Sequence, residues 1–144
     1  MAANTAPIFT LQGEVATNGT TGMSQMVLNA ANDYTGIDVD VTLVFTADAT
    51  NGSFVQRLRF KAGGTNTASV ARIYLNNGSA PGTATNNAFI GEVSLPATTA
   101  IATAATVDID YPLNIALPPA FRIYFGLGTA VAAGWCCTAF AGNY

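Results

Sequence analysis

A two-residue periodicity runs through most of this chain, and it is densest between Phe54 and Leu75. In the first half of that stretch Phe54, Leu58 and Phe60 share one parity, while Arg57, Arg59 and Lys61 share the other. Successive side chains of an extended strand point to opposite faces, so the two sets separate into an apolar surface and a basic one. In the second half Ala71, Ile73 and Leu75 alternate with Val70, Arg72 and Tyr74. Between the halves lies Gly63-Gly64-Thr65-Asn66, a run with the backbone freedom that a reversal requires. The pattern predicts a β-hairpin with Leu58 opposite Ala71 and Arg57 opposite Arg72, a register in which the apolar faces coincide. It gathers Arg57, Arg59, Lys61 and Arg72, four of the five basic residues, on one outward surface. Such a surface is either solvated charge or a docking face for something acidic.

The same alternation recurs along the chain. Val39, Val41, Leu43 and Phe45 alternate with Asp38, Asp40, Thr42 and Val44, which predicts a strand from Asp38 to Thr46 with one wet face. Phe89 to Leu95 is a further strand, stopped by Pro96. The longest alternation is Val107, Ile109, Tyr111, Leu113, Ile115 and Leu117. Pro112 inside it cannot donate to a ladder, so it marks an edge or a bulge. Phe121 to Leu127 and Trp135 to Phe140 complete the series, and Ile8 to Leu11 is a weak first strand. Thr17 to Gly22 reads as a turn. Met26, Val27 and Ala30 could line a short helix within Met23–Ala31, but Asn29, Asn32 and Asp33 argue against a long one.

Eight or nine short strands and no long helix predict an all-β fold, a β-sandwich or small barrel. An antiparallel β-sandwich of jelly-roll type is the first choice, because the strand count suits two four-stranded sheets. Phe45, Leu58, Phe60, Ile73, Ile109, Ile123 and Phe125 are the expected core.

At 144 residues the chain is expected to form a single domain over 1–144, with 1–7 as a flexible arm or leading strand. Met1 to Pro7 has neither the basic nor the apolar region of a secretory signal. Charged residues make up 9%, against roughly one-quarter in an average soluble domain. Such a surface suits a protein that hides much of its exterior in an assembly. The net charge of −3 gives no basis for nucleic-acid binding, and no apolar run reaches the roughly 20 residues of a membrane-spanning helix.

The residues that carry chemistry are few. There is no histidine, which removes the usual triads and most general-base schemes. Cys136 and Cys137 are adjacent, so in a strand they point apart and are expected to be free thiols packed beside Trp135. Asp38/Asp40 and Asp108/Asp110 have the spacing that puts two carboxylates on one strand face. Were their strands neighbours, four carboxylates would gather, as a glycosidase or a calcium site would use; an ordinary wet face is the preferred reading. Outward Tyr74 and Tyr124 would be the aromatics of a carbohydrate-binding module. No catalytic residue, cofactor or metal ligand is assigned.

Five stretches carry a resemblance: Met1-Ala-Ala-Asn-Thr-Ala-Pro, Val55-Gln-Arg-Leu-Arg, Ile73-Tyr-Leu-Asn-Asn-Gly-Ser, Pro112-Leu-Asn-Ile-Ala-Leu-Pro and Gly128-Thr-Ala-Val-Ala-Ala-Gly-Trp. In these the chain resembles small Ala/Gly/Thr-rich β proteins from the structural modules of tailed bacteriophages. The resemblance implies a virion structural protein without enzymatic activity. Its size suits a capsid cement or decoration protein, made in the host cytoplasm and seated on the capsid surface. The implied partners are the major capsid protein and other copies of itself, most simply as a homotrimer. Arg57, Arg59, Lys61 and Arg72 are then the expected partner contacts. A tail or fibre component is the alternative within the same class.

Overall fold

The computed structural model describes residues 10, 12–16 and 41–144. The expectations placed on the turn at Thr17–Gly22, on Met23–Ala31 and on Asp38/Asp40 lie outside them, as does most of the expected strand at Ile8–Leu11. Eight strands are described: β1 (Gln12–Ala16), β2 (Val41–Thr46), β3 (Ser53–Ala62), β4 (Ser69–Asn76), β5 (Asn87–Leu95), β6 (Asp108–Leu117), β7 (Arg122–Leu127) and β8 (Trp135–Asn143). They form two four-stranded antiparallel sheets, a front sheet ordered β1-β8-β3-β6 and a back sheet ordered β2-β7-β4-β5.

The pairs β1/β8, β2/β7, β3/β6 and β4/β5 are those of one long hairpin with its tip at the β4–β5 turn. Rolling that hairpin so that β3 also meets β8, and β4 meets β7, splits it into two sheets. This is jelly-roll topology, the architecture expected from the strand count.

The expected β3–β4 hairpin does not form. β3 pairs with β6 and β8, whereas β4 pairs with β5 and β7, so the chain crosses from front sheet to back between them. Leu58 lies opposite Tyr111 and Ala139 rather than Ala71. The misleading cue was the coincidence of apolar faces. Two strands that face each other across a sandwich need matching inward rows just as paired strands do. The supposed reversal is instead an anchored crossing. Asn66 is buried, its amide donates to the Gly134 carbonyl at 2.9 Å, and its side-chain oxygen accepts from the Ala133 amide at 2.8 Å. Its backbone exchanges both hydrogen bonds with Thr98.

Between the sheets lies a core built on Trp135, Phe45, Phe60, Phe125, Leu58, Ile73 and Ile123, all essentially inaccessible. Phe60 from the front sheet meets Phe125 from the back edge-to-face, with ring centroids 5.7 Å apart. Each such buried side chain contributes about 1.5–3 kcal/mol. Ile109, the remaining predicted core residue, only packs against the margin of the core, because its strand β6 is an edge.

Bulges displace the simple alternation in two strands. In β3 the register shifts between Val55 and Arg57, so Val55 is buried and Phe54 is not. In β2 it shifts between Leu43 and Phe45, so Val44 and Phe45 both enter the core while Val41 and Leu43 pack with Tyr74 and Tyr124. An extra residue in one strand is what a bulge adds, and side-chain parity changes across it.

Each of the four edge strands carries a feature that opposes addition of a further strand. Glu14 in β1 has the inward parity of Ala16 and is buried, and an inward charge opposes pairing with a further strand. The bulge of β2 and an extra residue at Ile90 in β5 break those edges. β6 carries Pro112, and Asn114 at φ 50°. The proline thus marks the edge that the sequence predicted.

Candidate functional site

Three of the four predicted contact residues lie together on the outer face of the front sheet. Arg57, Arg59 and Lys61 alternate with Leu58 and Phe60 on β3, so core burial of the latter pair turns the cations outward. β6 lies alongside and places Asp110 opposite Arg59 and Asp108 opposite Lys61. Arg59 grips Asp110 through both guanidinium arms, at 2.7 and 2.8 Å. Lys61 Nζ lies 2.7 Å from Asp108 and also donates to the Thr106 carbonyl at 2.7 Å. Arg57 Nε is 3.7 Å from Asp110. The basic row and the carboxylate pair, separate features in the sequence, are therefore one cross-strand ladder.

On the other flank, β8 contributes Phe140, which sits opposite Arg57. The Arg57 and Arg59 guanidinium carbons stand 4.3 and 5.6 Å from the centre of its ring. Cations over an aromatic face are attracted to its quadrupole. The Arg59 hydrogen bond holds the Asp110 carboxyl below the usual carboxylate range, and the same contact raises Arg59.

Beyond Phe140 the face opens into a trough of about 430 Å³ lined by Thr10, Gly13, Glu14, Val15, Phe54 and Phe140 among others. Its depth has a local cause. Gly142 of β8 has no side chain, and a Cβ added there would stand 2.6 Å from Thr10 Cβ. This trough has no forerunner in the sequence, because it depends on β1 joining β8 across the 118 residues from 17 to 134.

Arg72 is elsewhere. It belongs to β4 in the back sheet, is only 9% exposed, and reaches Glu92 of β5 with Nε 3.3 Å from the carboxylate. Its grouping with the other three depended on the β3–β4 hairpin and fails with it. Tyr74 and Tyr124 do not form an aromatic display either. They lie opposite each other on β4 and β7 but are 2% and 7% exposed.

Asp38 and Asp40 lie outside the described residues, and β2, which follows them in the chain, is in a different sheet from β6. Among the described residues no group of three or more acidic, cysteine or histidine side chains is placed to hold a metal ion. Asp108 and Asp110 instead take lysine and arginine. Cys136 and Cys137 are free thiols; Cys137 is buried within the core beside Trp135, and Cys136 is half-buried. Desolvation, reinforced by Cys136, pushes the Cys137 thiol well up, which suits a packed hydrophobe rather than a nucleophile. No described helix is long and apolar enough to cross a membrane.

No family model, curated protein or solved structure matches the chain.

Proposed function

We propose that this chain is a structural component of a tailed-bacteriophage virion: a capsid cement protein that binds the assembled shell between major capsid proteins and has no catalytic role. The observation that carries the reading is a charge-poor exterior with apolar side chains left at the surface. Val15, Phe89, Ile101 and Val107 are large hydrophobics 42–54% exposed. On β6 the inward row Ile109, Tyr111, Leu113 and Ile115 is only partly covered. Water is a poor environment for such a surface, and burial against neighbours relieves it. The protected edges favour face-to-face docking over strand addition. A protein that binds only the assembled lattice stabilises it by mass action.

The test is occupancy on purified capsids. The wild-type chain should co-sediment with shells and raise their thermal disruption temperature, and imaged particles should show it on the capsid rather than the tail. Charge reversal at Arg57 and Arg59 should lower occupancy. Full occupancy in that variant would remove the front face from the contact, and failure to bind shells at all would remove the cement reading. Density confined to the tail would favour the tail or fibre alternative.

A further inference from the structure

We infer that the outer face of the back sheet is a docking surface, and that its occupant is the chain's own stretch from residue 17 to residue 40. The inference is independent of the capsid reading.

The observation is burial on the side away from the core. Tyr74 of β4 and Tyr124 of β7 lie opposite each other, with parity opposite to that of Ile73, Ile123 and Phe125, which fill the core. Side chains on the outer face of a two-layer sandwich ordinarily meet water. These two are 2% and 7% exposed within a single copy of the chain. Val41 and Leu43 of β2 pack beside them. The eight described strands are all used in the two sheets, so none is left to lie over that side. Arg72 with Glu92 and Tyr74 with Phe89 are cross-strand pairs there, and all four take part in further interactions. Because the burial is complete in one copy, the cover belongs to the same chain.

Length and attachment select the occupant. β1 ends at Ala16 on an edge of the front sheet, and β2 begins at Val41 on an edge of the back sheet. Packed sheets stand about 10 Å apart, a gap that about four extended residues cross. The 24 residues from 17 to 40 far exceed that crossing. They also arrive at the right place, because the stretch runs directly into Val41, itself a member of the outer cluster. Residues 1–9 lead instead toward β1, on the other sheet.

Chemistry agrees. Met23, Met26, Val27, Leu28 and Tyr34 supply apolar and aromatic side chains, and thioether sulfur packs favourably on aromatic rings. The stretch carries Asp33, Asp38 and Asp40 and no basic residue, and Arg72 is among the covered side chains at 9% exposure. Phe89 on β5, the edge farthest from β2, is 48% exposed, so the cover reaches its limit there.

The test is photo-cross-linking of the full chain carrying Phe89→p-benzoylphenylalanine, an exposed position whose ring lies 5.5 Å from Tyr74. An equal mixture of isotope-labelled and unlabelled chains separates contacts within a copy from contacts between copies. The prediction is cross-linked peptides that map to residues 17–40, with both halves carrying the same label. Hydroxyl-radical footprinting should find Tyr74 and Tyr124 protected in the full chain. Deletion of residues 20–36, which leaves enough chain to cross between the sheets, should raise their labelling severalfold while Phe60 stays protected. Cross-links confined to any other part of the chain overturn the assignment of the occupant. Mixed-label cross-links to residues 17–40 overturn the single-copy arrangement in favour of exchange between copies. Tyr74 and Tyr124 labelled as fast as an exposed tyrosine in the full chain, or still protected after the deletion, overturn the docked stretch. Should the deletion variant lose Phe60 protection as well, the cross-linking map alone decides.

Discussion

The two outer faces of this sandwich share a backbone plan and differ in what they do with it. On the front sheet, outward positions hold a ladder of arginine, lysine and aspartate, open to water. On the back sheet, outward Tyr74, Tyr124, Val41 and Leu43 pack into a second apolar cluster, and the Tyr74 ring meets Phe89 at 5.5 Å. One face is held by exposed ion pairs, which contribute little to stability because water competes for both charges. The other buries aromatic area, which contributes much. The contrast assigns more of the stability to the back face than to the front.

Substitutions can break that contrast. The scale is set by the core that both sheets share: Phe60→Ala should destabilise by about 3–5 kcal/mol in denaturant unfolding. Tyr74→Ala should approach that loss, on the order of 3 kcal/mol, although the tyrosine is on an outer face. Arg59→Ala should leave the melting temperature close to wild type. Were Arg59→Ala to match Tyr74→Ala, the division between a strongly stabilising back face and a weakly stabilising front face would be wrong.

A smaller effect sharpens the same point through pH. Asp110 is lowered by Arg59, and Asp48 is lowered by the Asn51 and Thr50 amides that it accepts in the β2–β3 turn. A carboxyl lowered in the folded state stabilises above its unfolded pKa, and the contribution is lost as pH falls through the lowered value. Stability should therefore decline only as pH drops from the ordinary carboxylate value near 3.8 to below it. Carbon-13 NMR titration of Asp110 checks this, and Arg59→Ala should return Asp110 toward its ordinary value.

Much of the fold was legible in the residues. Six of the seven predicted core side chains are fully buried because alternation reports the pleat directly. Pro112 gave the edge, since a residue without an amide hydrogen cannot sit inside a ladder. What periodicity does not encode is which strand lies beside which. The expected β3–β4 hairpin groups Arg72 with Arg57 and Arg59, and the parity that suggests the hairpin is the same whether two strands pair or face each other across a core. Phe54 and Val55 exchanged roles because a bulge adds a residue that no alternation announces. The Arg59–Asp110 and Lys61–Asp108 pairs did leave a signal: opposite charges at matching two-residue spacing on two strong strands. Opposite charges facing each other across two strands are mutually stabilising, so that complementarity marks β3 and β6 as neighbours.

The rolled hairpin is the claim on which both faces depend, and cross-strand backbone NOEs test it most directly. The prediction is that Leu58 shows contacts to Tyr111 on one side and Ala139 on the other. A contact from Leu58 to Ala71 instead would restore the simple hairpin, return Arg72 to the basic surface and contradict the account.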